Sequence, residues 1–387
     1  MEFDTLWILL GLPIAFALGW LASRFDLRQL RMENRLAPKA YFKGLNFLLN
    51  EQQDEAIDAF IEAVQNDPDT SELHFALGNL FRRRGEYERA VRVHEHLLQR
   101  GDITVHDRQR AQHALALDFL KAGLLDRAED ALEKLEGTPF QNEARLARLG
   151  ICERSREWPQ AAEIARKLQA AGEASFSIRL AHYLCEQAAT AAASGDTVAA
   201  QSLLEQAIAD APQATRPRVQ FAALQRTQSR HPQALQTLVE LVERMPSAAP
   251  LVAVSLAQSA LACGDGPRIL KLLQSLEQQT PALDVTEAIV TLESAAHTGG
   301  DVQQGRRGYI RHLQKEPSLI AAARWMTGEK LEHDEHRPLV QRALDHAARP
   351  LSRYRCAACG FEVKDHFWQC PGCLNWDSIS PRRVEEL

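Results

Sequence analysis

Four of the chain's seven cysteines stand near its end in two pairs, Cys356-Ala-Ala-Cys359 and Cys370-Pro-Gly-Cys373, with ten residues between the pairs. Two C-x-x-C hooks at this spacing can turn four thiolates inward onto one tetrahedral ion, iron or zinc. Four sulfur ligands close such a site, which points to structure or electron transfer rather than substrate activation. Gly360 follows the first hook, where a tight turn aims backbone N–H groups at sulfur, and Pro371 stiffens the second. Tyr354, Phe361, Trp368 and Trp376 flank the hooks. These aromatics are expected to form the small core that a segment of about thirty residues otherwise lacks.

Little other chemistry is visible. Cys152, Cys185 and Cys263 are scattered through helical sequence and read as small buried apolar residues. The thirteen histidines are spread out, His94 at a core position, and none forms a metalloprotease pair. No nucleophile–base pair, phosphate loop or open metal site stands out, so an enzyme is not expected. A net charge of −6 supplies no global basic field, and nucleic acid is not an expected partner.

The chain's opposite end has a different character. Residues 5–23, TLWILLGLPIAFALGWLAS, carry no charge and hold Trp7 and Trp20 near their ends. As a helix these nineteen residues span about 28 Å, enough for a hydrocarbon core of about 30 Å. Pro13 inside the stretch is tolerated in a membrane helix. Glu2 and Asp4 precede it, while Arg24, Arg28, Arg31, Arg35, Lys39 and Lys43 follow. The expectation is a single transmembrane anchor over 1–23 with the N-terminus outside, then a basic linker over 24–36 on the cytoplasmic side. A secretory signal would need a basic start, and this one is acidic. A cytoplasmic setting also disfavours disulfides among the cysteines.

Between these ends the chain repeats every 34 to 38 residues, from about 37 to 318. Gly44, Phe47, Ala56, Phe60, Ala63 and Pro68 fall at the spacing of the tetratricopeptide pattern. Gly78, Phe81, Ala90, His94 and Leu97 repeat it 34 residues on, with Gly85-Glu86-Tyr87 at the turn between helices. A third copy holds Leu115, Ala116, Phe119, Gly123, Ala128 and Leu132, and Pro212, Pro246, Pro281 and Pro317 punctuate later units. Small residues at the helix crossing allow close approach, and proline ends each second helix. The middle units, around 142–170 and 181–212, are degenerate, although Trp158-Pro159-Gln160-Ala161 still resembles Tyr87-Glu88-Arg89-Ala90. The small-residue run 188–193 is expected to pack a tight helix pair. The predicted fold is therefore all-α: a tetratricopeptide superhelical solenoid over 37–318, further helices over 319–350, and a four-Cys metal domain over 351–387.

A solenoid binds along its concave groove. First-helix positions turned away from the unit's own core are Phe75, Asn79, Arg82 and Arg83 in the second unit and His113 and Lys121 in the third. Arg82-Arg83-Arg84 could hold a partner's acidic side chains or C-terminal carboxylate. Cations at a helix C-terminus also serve the helix itself.

With anchor, repeats and hooks in this order, the chain resembles the lipopolysaccharide assembly protein B family of Gram-negative bacteria. The match is closest at Asn46-Phe47-Leu48-Leu49, at Leu77-Gly78-Asn79-Leu80-Phe81-Arg82 and at Ala122-Gly123-Leu124, and it continues at Tyr354-Arg355-Cys356 and from Trp368 through Cys370-Pro371 to Trp376. The resemblance implies an inner-membrane protein with a rubredoxin-like domain, its metal on Cys356, Cys359, Cys370 and Cys373. It also implies an adaptor that presents the LpxC deacetylase to the membrane AAA+ protease FtsH, restrained by a regulatory inner-membrane protein. Lipopolysaccharide transport components are further expected partners, and a homodimer is left open. Two alternatives stand beside it, an envelope-assembly scaffold that directs no proteolysis and an iron redox protein. Rubredoxins carry glycine after the second hook, where Leu374 stands here, and their inter-hook span is longer. Electron transfer is therefore not inherited with the name.

Overall fold

The computed structural model describes residues 42–387 except 48, 51, 67–69, 173–174, 280, 297–301 and 328–333, together with Phe16. The expected anchor and basic linker lie outside the described residues, Phe16 apart. The chain divides into two compact units, 1–156 and 157–387.

In the first unit, helical residues 42–47 precede α1 (Gln53–Asn66), α2 (Ser71–Arg84), α3 (Tyr87–Gln99), α4 (Val105–Ala122), α5 (Leu125–Glu133) and α6 (Gln141–Ser155). Glycines with positive φ, Gly85 and Gly123, end α2 and α4, and their N–H groups return to carbonyls of the last turn. Each turn leads directly into the second helix of its pair. Close packing then fixes which residues can stand at the crossings. A Cβ on Gly78 would meet the His94 ring at 2.5 Å, and one on Gly44 would meet Phe60 at 2.8 Å. The space left by each small residue is thus taken by a ring from a second helix. Ile57, Phe60, Leu77 and Phe81 form one core cluster, and Leu115, Phe119, Leu132 and Ile151 form the next.

The second unit continues the pairing with α7 (Trp158–Ala170), α8 (Ser177–Ala193), α9 (Thr197–Asp210), α10 (Thr215–Thr227), α11 (His231–Arg244), α12 (Ala249–Cys263), α13 (Gly266–Gln279), α14 (Leu283–Ala296), α15 (Val302–Lys315), α16 (Leu319–Met326) and α17 (Arg337–Ala348). Pro212, Pro246, Pro281 and Pro317 each stand two residues beyond the end of a second helix, as the missing N–H of proline requires. Ala161 is fully buried at the start of α7, matching Ala90 in α3. Residues of α10 to α14, among them Leu238, Leu241, Leu256, Ile269 and Ile289, make a continuous core. Pro246–Cys263 is long and apolar enough to cross a membrane, but half of it is buried in this core. It is accounted for as a packed helix of the array. The run 188–193 is only partly a packing surface: Ala188 is buried, whereas Ala192 and Ala193 are exposed beside an apolar cleft of about 340 Å³.

Candidate metal centre

After α17 the chain forms a two-stranded antiparallel ribbon, β1 (Tyr354–Arg355) with β2 (Glu362–Val363), pairing Tyr354 with Val363 and Arg355 with Glu362. Each hook then closes in the same way. The Cys356 carbonyl accepts from Gly360 N–H at 2.9 Å, and the Cys370 carbonyl accepts from Leu374 N–H at 2.8 Å. Cys356 N–H donates to Phe361 and Cys370 N–H to Asn375, both at 2.9 Å. This repeated turn needs a left-handed residue after the second cysteine of each hook. Gly360 supplies it at φ 76°, and Leu374 adopts it at φ 59°. The departure from glycine in the second hook therefore changes the residue and keeps the backbone.

The two hooks bring all four Sγ atoms within 4.8 Å of one another. Cys356 and Cys373 sulfurs lie 3.8 Å apart, and those of Cys359 and Cys370 3.7 Å. A tetrahedron with metal–sulfur bonds of about 2.3 Å has edges of about 3.8 Å, so the four cysteines fit one ion. Zinc and iron both accept this donor set. Sulfurs this close resist ionising together. Cys356 is drawn down to about 6, first by the Ser378 hydroxyl 3.3 Å away and then by backbone N–H groups. Cys359 is pushed up to about 12: the Phe361 N–H favours its thiolate, but desolvation and the three neighbouring thiols outweigh it. A bound cation supplies the charge that lets the set ionise together.

The core beneath the hooks differs from the expected aromatic cluster. It consists of Cys356, Val363, Cys370 and Ile379, with Tyr354 packed against it. Phe361 is 46% exposed, lying against Gly372. His366 sits edge-on between Tyr354 and Trp368. Trp376 keeps its backbone paired with Gln369, but its side chain turns out of this core onto a surface of the helices of the same unit.

That surface is a seam of residues with no marker in the local sequence. Trp376 stacks on His182 of α8 at 4.5 Å and meets Trp158 and Tyr183 edge-on. His182 is 1% exposed, and its Nε2 lies 2.8 Å from the Asp377 carboxylate. Its Nδ1 faces Arg216, which also pairs with Glu186 at 2.6 Å. Each ring nitrogen thus faces a polar partner, a carboxylate on one side and a guanidinium on the other. Farther along, Arg383 donates to Asp284 from two nitrogens, at 2.6 and 3.1 Å, and Arg382 donates to the Pro281 carbonyl. The Glu386 carboxylate accepts from Leu283 N–H at 2.6 Å, and Glu385 accepts from Leu319 and Ile320 N–H. Two carboxylates thus sit at the N-termini of α14 and α16, where unpaired N–H groups and the helix dipole favour an anion.

The three remaining cysteines lie elsewhere. Cys152 and Cys185 are buried, and burial pushes the Cys185 thiol up to about 12, away from reactivity. Cys263 is only partly covered at the end of α12.

Of the expected groove residues in the first unit, Phe75 belongs to the core instead. It is 2% exposed, packed near His94 and under the Arg110 guanidinium. The period that places Phe75 on the first helix's open face ignores the neighbouring unit, whose α4 covers it. Arg82 is half-buried and tied to Asn79, to the Ala114 carbonyl and to Asp118 at 2.8 Å. Asp118 and His94 are both fully buried and hydrogen-bonded to each other. His113 is half-buried against Phe140, and burial lowers its pKa. Arg84 pairs with Asp54 and Glu86. Arg83 and Lys121 are exposed, with no ion pair among the described residues.

Residues 354–381 match a family model described as a rubredoxin metal binding domain. Across nearly its whole length the chain is similar to lipopolysaccharide assembly protein B of Escherichia coli K12, 30% identical over 385 residues that cover 97% of this chain and 98% of the relative. The Haemophilus influenzae protein of that name is 28% identical over 399 residues, covering 98% of each chain. Among solved structures the chain is similar to a tetratricopeptide repeat protein of Parabacteroides merdae, 15% identical over 66% of this chain and 98% of that one, with a TM-score of 0.34. It is likewise similar to the TPR2AB domain of yeast Sti1 in its pHSP90 complex, 16% identical over 72% and 99%, with a TM-score of 0.36. With helical repeats, a four-thiolate site and this end-to-end match, the chain belongs to the lipopolysaccharide assembly protein B family.

Proposed function

We propose that this protein is a membrane-tethered adaptor of lipopolysaccharide assembly that presents the LpxC deacetylase to the FtsH protease. The observation that carries the reading is the match along 97% of the chain to relatives named for lipopolysaccharide assembly. The apolar segment at 5–23 would hold the adaptor in the protease's own membrane, raising effective concentration without new contacts. The helical repeats would hold the substrate enzyme, and a regulatory inner-membrane protein would restrain the exchange. The metal, zinc or iron on Cys356, Cys359, Cys370 and Cys373, would serve as a structural clamp, since four sulfurs leave no open position for chemistry.

The test is the half-life of LpxC after protein synthesis is blocked, in cells with and without this protein. Persistence of the deacetylase in its absence supports the adaptor role. An unchanged half-life, with lipopolysaccharide enzymes mislocalised, would instead favour a scaffold that directs no proteolysis.

A further inference from the structure

Of the chain's seven cysteines only Cys359 is exposed. Cys356 and Cys370 are buried with Val363 and Ile379 in the small core beneath the hooks, and Cys373 is half-covered. The residues around Cys359 give it no shield, since Ala357, Ala358 and Gly360 are small and exposed. Beyond its chain neighbours, a Cβ placed on Gly360 would meet no atom within 4 Å, so the space beside Cys359 is open. Phe361, the nearest bulky side chain along the chain, lies against Gly372 of the second hook instead.

Cys359 also has a second sulfur within reach. The Cys370 Sγ lies 3.7 Å away, across the gap between the hooks. A metal ion holds its cysteine ligands as thiolates. An accessible thiolate with a second cysteine beside it is the arrangement on which peroxides act, one sulfur being oxidised and the other resolving it. Cys152 and Cys185 are buried and lack that access.

We propose that Cys359 is a peroxide-reactive thiolate, resolved by Cys370, whose oxidation expels the metal and loosens the tail behind the hooks. The Cys359 thiolate attacks one oxygen of a hydroperoxide, and the O–O bond breaks. Cys359 becomes a sulfenic acid, and the other oxygen takes a proton from solvent and leaves as water or an alcohol. The Cys370 thiolate then attacks the Cys359 sulfur, and the disulfide forms as hydroxide leaves and is protonated to water. The two sulfurs give up two electrons, and the hydroperoxide takes them with two protons. Cys356 and Cys373 remain as thiolates, too few to hold a tetrahedral ion. The second hook leads directly into Trp376, which stacks on His182 of α8, and the chain end reaches α14 and α16 through Glu386 and Glu385. Loss of the metal therefore reaches the helix starts that these carboxylates cap.

The test titrates the zinc-loaded full chain, in mild detergent at neutral pH, with hydrogen peroxide. A chromogenic chelator reads the released zinc, and mass spectrometry of the alkylated, digested chain maps the first disulfide. The expected result is zinc release in step with a Cys359–Cys370 disulfide, reversed by dithiothreitol and added zinc. Trypsin should cut at Arg353 and Arg355 once the zinc has left, and spare them after restoration. Cys359→Ser should bind zinc and lose the peroxide-driven release, whereas Cys263→Ser should leave it unchanged. Should the Cys359 variant fail to load zinc, the linkage map of the parent decides by itself. Zinc retained by the peroxide-treated chain, or a first disulfide other than Cys359–Cys370, overturns the assignment. Arginines that stay uncut after zinc release overturn its link to the tail. Neither LpxC nor FtsH enters these measurements, so their outcome is independent of the half-life test.

Discussion

Leu374 holds a left-handed backbone at φ 59° in a turn whose twin uses Gly360. A side chain there costs about 1 kcal/mol, which glycine removes. Leu374→Gly should raise the ribbon's stability by about that amount, read as a higher chelator concentration needed to strip the metal. An unchanged or lower requirement would mean that the leucine side chain contributes packing that offsets its strain. The group of half-buried Arg82 with buried His94 and Asp118 is the opposite case, an arrangement in which the carboxylate depends on its partners. Removing one partner from a buried pair leaves the rest uncompensated, so Asp118→Ala should cost about 3 kcal/mol in urea unfolding. A loss below about 0.5 kcal/mol would place these groups in water instead. The cysteine quartet was readable from spacing because ligand geometry is local to each hook. The burial of Phe75 was not, since a single helix cannot reveal which neighbour covers it.

At the scale of elements, helix ends were the most legible features. Gly85 and Gly123 end α2 and α4, and four prolines stand just beyond second helices, because φ and N–H constraints act on one residue at a time. The carboxylates that reach the starts of α14 and α16 left no such trace. Glu386 meets Leu283 from 103 residues away, and Glu385 meets Leu319 from 66. Arg383 anchors this tail on Asp284, which is 6% exposed. Arg383→Ala should therefore destabilise the second unit by about 2 kcal/mol, the cost of leaving a largely buried carboxylate without its partner. Arg383→Lys should recover only part of this, because lysine lacks the two-pronged geometry. A lysine variant as stable as the parent would show that charge alone suffices. Both variants are compared by urea midpoint at constant metal loading.

On the scale of the whole molecule, the four-cysteine domain is also a packing element of the second unit. The same short domain carries the hooks, the Trp376 contact with His182 and the tail that meets α14 and α16. Chelation, or Cys356→Ala, should free that tail and loosen the backbone at Arg353 and Arg355, so that trypsin cuts there while the first unit keeps its resistance. Unaltered cleavage at those arginines would mean that the ribbon holds its place without metal. Under the adaptor reading, the same variant should also slow LpxC turnover. The sequence by itself determined the repeat architecture, the positions of the turns and the four-sulfur site. Each of these depends on periodicity, backbone preference or ligand spacing within one or two helices. Only the tertiary structure decided that Trp376 belongs to the repeats, that Arg82 is a strut between helices, and that Glu385 and Glu386 meet distant helix starts. Those pairings join residues far apart in the chain, and their partners are set by how the helices stack.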